Sequence, residues 1–245
     1  MTESGDALEL LFSQYNRHYE RMGNLPPDYA EVKANPEKYK IWEGWLPRDP
    51  EAAILDIGCG WGILLLSLWA SGYRNLTGVD ISERMCTFAK QNLPSKITIH
   101  CADAVAFLAE KQQAYDLILL FDILEHMTLE KAFALLKQCH LALVSGGSVV
   151  IRTPNMANLL ASYSRYLDIT HIQGYTEYSL FQLLDLAGFV NHKIIKTTLG
   201  MRGWRLTGKR EFLNELLHRV LFGLRGQNPR PTTYAYNLIV QSFKG

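Results

Sequence analysis

No long apolar run interrupts this 245-residue chain. The longest, Ile63 to Ala70, is broken by Ser67 and is far too short to span a bilayer. The first residues are polar and acidic (Thr2, Glu3, Ser4, Asp6), with no apolar signal core. Cysteine is sparse. Cys59, Cys86, Cys101 and Cys139 form no C-x-x-C pair, which argues against a zinc site or a disulfide framework and favours a reducing compartment. No metal site is expected. One-signed charge is also missing: 25 Lys/Arg against 24 Asp/Glu gives no global electrostatic case for nucleic acid. Repeats and low-complexity tracts are lacking too. These absences leave an ordinary globule, expected to be cytoplasmic.

What is present is a glycine loop. An apolar strand (Ile54, Leu55) ends at Asp56, then Gly58-Cys59-Gly60-Trp61-Gly62 leads into an apolar helix. Such glycines allow positive φ and let backbone approach a ligand closely. The following helix would point its unpaired N–H groups at the same place. A dinucleotide fingerprint needs G-x-G-x-x-G. Here Ile63 stands at the third glycine position and Gly62 comes one residue early, which weighs against a nicotinamide dehydrogenase.

Residues 1–50 read as an N-terminal helical cap on one α/β domain, 51–245. Leu8, Leu11, Phe12, Tyr15 and Tyr19 recur at helical spacing, Pro26-Pro27 breaks the pattern, and a short helix is expected from Pro36 to Trp45. Strand and helix then alternate: strands at 52–57, 75–80, 97–101, 115–121 and 147–153, helices at 61–71, 82–92, 103–110 and 128–142. That alternation implies a parallel sheet with helices on both faces. Ser145-Gly146-Gly147 reads as the turn before the fifth strand. A helix at 177–187 stops at Gly188, strand six runs from Val190 to Thr197, and a last alternating strand, Tyr234 to Phe243, suits an edge.

Acids stand at the other strand ends. Asp80 closes the second strand, 24 residues after Asp56, where it can accept from both hydroxyls of a ribose or cap the next helix, although Ser82 is the better N-cap. Ile81 and Met85 are placed to flank a base. Asp103, in Cys101-Ala102-Asp103-Ala104, can accept from an exocyclic amine, cap a helix, or both. Asp122 lies past the fourth strand, beside the point where strand order reverses.

Together these residues resemble the class I S-adenosylmethionine (SAM)-dependent methyltransferases. The run Phe121-Asp122-Ile123-Leu124-Glu125-His126-Met127 is similar to the ubiquinone- and menaquinone-biosynthesis subgroup. The resemblance implies a Rossmann-like seven-stranded sheet with strand seven antiparallel between five and six, and SAM as cofactor. It implies that Asp56, Gly58, Cys59, Gly60 and Gly62 form the cofactor loop, the methionine moiety lying on 58–60. Asp80 would hold the ribose, Ala102, Asp103 and Ala104 the adenine, and Phe121 and Asp122 the sulfonium end. Trp61 is large for its place and is expected to pack.

Methyl transfer to a hydroxyl also needs a base. His126 and His171 are candidates, with Asp168 placed to orient His171; each histidine could instead serve only its local backbone. His140 suits a helix C-terminus. Tyr15 and Tyr19 could face the cation or fill the cap. The stretch from Asp168 to His171, with Tyr175-Thr176-Glu177 and Leu184 to Phe189, resembles methyltransferases of bacterial polysaccharide and glycolipid gene clusters, implying a sugar or glycolipid hydroxyl as acceptor. A quinone-type or other small-metabolite acceptor, or a non-catalytic SAM-binding partner protein, remains open.

The segment 200–230 is a basic insert. Between 202 and 230 seven Lys/Arg face two acids, an excess of five positive charges. Phe212, Leu213, Leu216, Leu217, Val220, Leu221 and Leu224 form one apolar stripe on a helix about 211–225. Such a helix packs on its own protein, pairs with a second copy, or lies on an anionic membrane such as the inner membrane face.

Overall fold

The computed structural model describes residues 21, 23, 28–34, 44–196, 204–226 and 228–245, without side chains for 33 and 204–212. Seven strands, β1 (Ile54–Ile57), β2 (Leu76–Asp80), β3 (Thr98–Cys101), β4 (Tyr115–Phe121), β5 (Leu143–Pro154), β6 (Phe189–Ile194) and β7 (Asn237–Lys244), form one sheet in the order β3-β2-β1-β4-β5-β7-β6. The helices are α1 (Tyr29–Ala34), α2 (Ile63–Ala70), α3 (Glu83–Asn92), α4 (Ala104–Leu108), α5 (Leu129–Ala142), α6 (Ala161–Leu167), α7 (Glu177–Ala187) and α8 (Trp204–Leu224). The first five strands run parallel, and β7 pairs antiparallel with both β5 and β6. This is the seven-stranded Rossmann-like architecture that the motifs imply.

Alternate residues of a strand serve opposite faces. Leu55, Ile57, Ile118 and Leu120 join α5 and α7 residues such as Leu135, Leu136, Leu180 and Leu184 in one buried layer. Ile54, Leu117 and Leu119 join Leu65, Leu68, Cys86 and Trp45 in the other. The unbroken apolar sequence of β4 is the mark of a strand covered on both sides. Helix starts follow local chemistry: Ser82, Asp103, Thr128 and Thr176 each accept a backbone N–H of the first turn, and Gly188 ends α7 at φ 99°.

Several expectations need correction. The last strand is interior, because Leu238, Ile239 and Val240 are buried in succession between two neighbours. β5 starts at Leu143, so Ser145-Gly146-Gly147 forms an irregularity within the strand, with a register shift opposite Tyr115/Leu117. Helix α1, and α6 in the stretch read as irregular, carry too little periodicity to show in sequence. The expected helices over Leu8–Tyr19 and Pro36–Trp45 lie largely outside the described residues, as do Tyr15, Tyr19 and the side chain of Phe212.

The insert is helical, but its stripe does not pack on the protein's own core. Leu213, Leu216, Leu217, Val220 and Leu224 are exposed. The polar face is what docks: His218 is 1% exposed, stacks 5.1 Å from Tyr234, and its Nε2 accepts Leu159 N–H at 2.7 Å. Glu215 accepts from Thr233 Oγ1 at 2.9 Å and Tyr234 N at 2.7 Å. Leu217→Gln is therefore expected to change folding stability by no more than about 0.5 kcal/mol in dilute urea denaturation. A loss above about 2 kcal/mol would mean the stripe is buried. Among the described residues no helix is long and apolar enough to cross a membrane.

Candidate active site

Parallel register sets the carboxyl ends of three strands side by side: Ile57 lies opposite Val79 on one side and Leu120 on the other. The residues that follow, Gly58, Asp80 and Phe121-Asp122, therefore meet at one edge, where open α/β sheets bind ligands. Gly58, Gly60 and Gly62 all take left-handed backbone, at φ 72°, 51° and 80°. Their surroundings differ. A Cβ on Gly58 would sit 2.0 Å from Ile123 Cδ1, and one on Gly62 2.7 Å from Leu93 Cδ1. A Cβ on Gly60 would meet only Met85 Sδ, at 3.7 Å. Gly58 and Gly62 are fixed by packing, whereas Gly60 presents open backbone. The early third glycine is explained: Gly62 is the N-cap of α2, packed against Leu93.

Asp80 holds the loop. Its Oδ2 accepts Gly60 N–H and its Oδ1 accepts Ser82 N–H, both at 2.8 Å. Burial raises its pKa, partly offset by these bonds. Asp103 caps α4, accepting Ala106 N–H at 2.9 Å. Ala102 and Ala104 pack partly buried beside the core, Ile81 is 74% exposed, and Met85 is buried with its Sδ 3.7 Å from where a Cβ on Gly60 would sit. Trp61 packs edge-on against Phe88 at 5.1 Å, and its carbonyl accepts the Tyr29 hydroxyl. Cys59 is buried, which pushes its thiol pKa up.

Asp56 is fully buried at the end of β1, and burial, with the Asp80 carboxylate next, pushes its pKa up to about 8. The folded protein thus keeps a proton that the unfolded chain releases above the ordinary carboxylate range. Unfolding loses protons between about pH 4 and 8, so this contribution to stability is full at the acid end and disappears as pH rises through the folded value. Between pH 5 and 8 the wild type is expected to lose about 2–4 kcal/mol more than Asp56→Asn by urea denaturation. Parallel pH curves for the two proteins would contradict this.

At the end of β4, Asp122 takes φ 58°, a strained geometry for a non-glycine residue. Both its carboxylate oxygens accept from Arg152, with Nε to Oδ1 at 3.0 Å and Nη2 to Oδ2 shorter. The Arg152 guanidinium also lies 4.8 Å from the Phe121 ring. Asp122 is therefore not a bare anion awaiting a cation. Arg152 escaped the sequence reading because only the β4–β5 register, Phe121 opposite Arg152, brings it here.

The two histidines come together. The His126 and His171 rings meet edge to face with centroids 4.7 Å apart. The Asp168 carboxylate accepts from Thr170 N at 2.8 Å and Thr170 Oγ1 at 2.6 Å. Thr170 Oγ1 in turn lies 2.8 Å from His126 Nδ1. A hydroxyl that gives its proton to Asp168 must accept from the imidazole, so His126 carries its proton on Nδ1 and its lone pair on Nε2. His171 Nδ1 lies 2.9 Å from the Ser164 carbonyl, which can only accept, so His171 has the same tautomer. Burial, and then the neighbouring His171, pushes the His126 pKa down to about 4. His140 ends α5 as expected, packed 5.2 Å from Phe189.

Glu125 was not assigned a role by sequence. It is 2% exposed, its Oε2 makes no hydrogen bond of good geometry, and burial with Asp122 nearby pushes its pKa up to about 8. Its backbone carbonyl accepts from Ile172 N at 2.8 Å and Gln173 N at 3.0 Å, clamping the His171 loop to the turn Leu124–His126.

Fold and glycine loop together are like those of the class I SAM-dependent methyltransferases, and residues 54–147 match the family model described as "Methyltransferase domain". The chain is 36% identical over 89 residues to the ubiquinone biosynthesis O-methyltransferase of Aromatoleum aromaticum, covering 34% of this chain and 38% of that one. It is 30% identical over 156 residues to that of Nitrosomonas europaea, covering 62% and 64%. Less than two thirds of each of these two relatives is thus spanned. A SAM-dependent methyltransferase of Archaeoglobus fulgidus shares the fold, at 22% identity and TM-score 0.59 over 96% of this chain and 99% of that one.

Proposed function

We propose that this chain transfers the SAM methyl group to a hydroxyl oxygen of a small aromatic acceptor of quinone-precursor type. SAM, when bound, supplies a methyl carbon on a cationic sulfur with a good leaving group. The residues at the sheet edge fit it. Gly60 offers backbone unobstructed by any Cβ neighbour nearer than 3.7 Å, room for the methionine moiety between Gly58 and Gly60. Asp80, already held by two backbone N–H groups, would accept from the ribose, and Ala102 to Ala104, Ile81 and Met85 would surround the adenine. Phe121 would line the sulfonium end, and Arg152 keeps Asp122 in place beside it.

The observation that carries the reading is the histidine pair beyond β4, whose rings meet edge to face and are each tied through Nδ1. Transfer would form the O–C bond as the C–S bond breaks, with that electron pair left on sulfur, and a histidine Nε2 would take the hydroxyl proton and pass it to solvent. Holding donor and acceptor in line can supply on the order of 7–11 kcal/mol. The relatives are named O-methyltransferases of ubiquinone biosynthesis, which supports an aromatic hydroxyl. Burial makes His126 a weak base, and an aromatic hydroxyl is the easier one to deprotonate. In the Asp168–Phe189 stretch, whose resemblance points to a sugar acceptor, Asp168 and Thr170 hold His126, and Leu180, Leu183, Leu184, Ala187 and Phe189 are core.

Incubation with methyl-labelled SAM and a panel of catechols, phenols and sugars tests this. Label is expected on aromatic oxygen. Label on sugars alone would overturn the acceptor class, and SAM binding without transfer to any fraction of cell extract would favour a non-catalytic partner.

A further inference from the structure

We infer that Cys86 and Cys101 form a reversible modification site, where a small-molecule disulfide of the oxidised-glutathione type joins the two sulfurs beneath the proposed adenine subsite. This deepens the methyl-transfer reading and rests on it for the purpose of the link. Strand register pairs Asp80, at the end of β2, with Cys101, at the end of β3. Cys86 stands in the first turn of α3, which begins three residues after Asp80. Both thiols therefore converge on one short piece of backbone. Cys86 Sγ lies 3.4 Å from the Asp80 carbonyl oxygen and 3.6 Å from that of His100. Cys101 Sγ lies 3.9 Å from the carbonyl oxygen of Ile81. The two thiols are in hydrogen-bonding contact with each other. No C-x-x-C spacing announces the pair, because 15 residues separate its members.

Access to the two sulfurs is unequal. Cys101 is exposed, whereas Cys86 is 1% exposed. A solvent-accessible thiol beside a resolving cysteine is the arrangement of redox-sensing sites. Burial, and then the Cys101 contact, pushes the Cys86 pKa up to about 12, so Cys86 is the poorer first nucleophile. Cys101 attacks one sulfur of the small disulfide and displaces the first thiol, which takes the Cys101 proton. Cys86 then attacks Cys101 Sγ of the mixed disulfide and displaces the second thiol, which takes the Cys86 proton. The cysteine pair loses two electrons, and the small disulfide gains them as it becomes two thiols. Cys59 also stands near Cys86, but both are buried, so neither takes the first attack. A disulfide sets its sulfurs about 2 Å apart, closer than hydrogen-bonded thiols stand. Closure thus draws the first turn of α3 toward the end of β3. Met85 and Ala102, the neighbours of the two cysteines, flank the proposed adenine subsite, which narrows.

The reduced full chain is equilibrated with oxidised and reduced glutathione at stepped ratios, alkylated, digested and analysed by mass spectrometry. A peptide linked through Cys86 and Cys101 is expected, lost again on treatment with dithiothreitol. Folded Cys86→Ser should stop with one glutathione on Cys101, and Cys101→Ser should take up none at Cys86. No linked peptide in the wild type, or a link between Cys59 and Cys86 instead, overturns the site; the wild-type digest decides this even if a variant fails to fold. S-adenosylhomocysteine is then titrated calorimetrically into the reduced and the linked protein. The linked form is expected to bind at least about fivefold more weakly, with full recovery on reduction. Equal affinity of the two forms overturns the regulation. Nucleoside bound by the reduced chain without any linkage removes the thiol site and leaves methyl transfer standing. Linkage in a chain that binds no nucleoside supports the thiol site and removes the cofactor reading.

Discussion

His126→Gln is expected to lower turnover at saturating SAM by about 10²–10⁴-fold, the range a positioned proton-transfer group supplies. Affinity for S-adenosylhomocysteine should stay within about twofold of wild type, because the ring lies beyond the end of β4 and not in the loop around Gly60. The split between turnover and cofactor binding is the signature. A mutation that removed only packing would destabilise the protein and lower both. Gln keeps a donor toward Thr170 while losing the Nε2 lone pair, so its effect reports on the lone pair. His171→Gln should show the same split, since the two rings act from one place. If neither variant slows turnover, the acceptor is deprotonated elsewhere or needs no base.

The second large effect concerns two glycines that look alike in sequence. Gly58→Ala places a Cβ 2.0 Å from Ile123 Cδ1 at a φ of 72°. Strain and overpacking together should cost about 2–5 kcal/mol of stability and weaken nucleoside binding at least tenfold. Gly60→Ala meets only Met85 Sδ at 3.7 Å, at a φ of 51°. Its stability cost should stay near about 1–2 kcal/mol, the left-handed penalty alone, yet it too should lose about tenfold or more in affinity, because the new methyl occupies the ligand's approach. Thermal melts and calorimetry on both variants read this contrast. Equal stability loss with intact binding in Gly60→Ala would show that this backbone faces no ligand.

The sheet was legible because its information is local. Asp56 to Gly62, Thr77 to Ser82 and Tyr115 to Asp122 each carry strand, stop and functional residue within eight positions. Their meeting at one edge then follows from parallel pairing. Non-local features stayed hidden. Arg152 reaches Asp122 only through strand register. Asp168 reads as a partner of the histidine three residues on; its bond to Thr170, and through Thr170 to His126, 42 residues earlier, has no mark in the sequence. Glu125 sat inside a recognised run, yet nothing in the run says that its side chain is buried. The stripe of α8 shows the reverse error. Periodicity located the helix and its apolar face but could not tell which face docks, because His218 and Glu215 satisfy backbone groups of the segment before β7.

The most direct test is a calorimetric titration of the wild type and Asp80→Ala with S-adenosylhomocysteine and with NAD. The account requires one equivalent of the sulfur nucleoside bound by the wild type, no heat with NAD, and at least about a tenfold weaker complex in a folded Asp80→Ala, which loses the carboxylate that braces the Gly60 backbone and is proposed to hold the ribose. Binding of NAD alone, or an undiminished affinity in the variant, would contradict it.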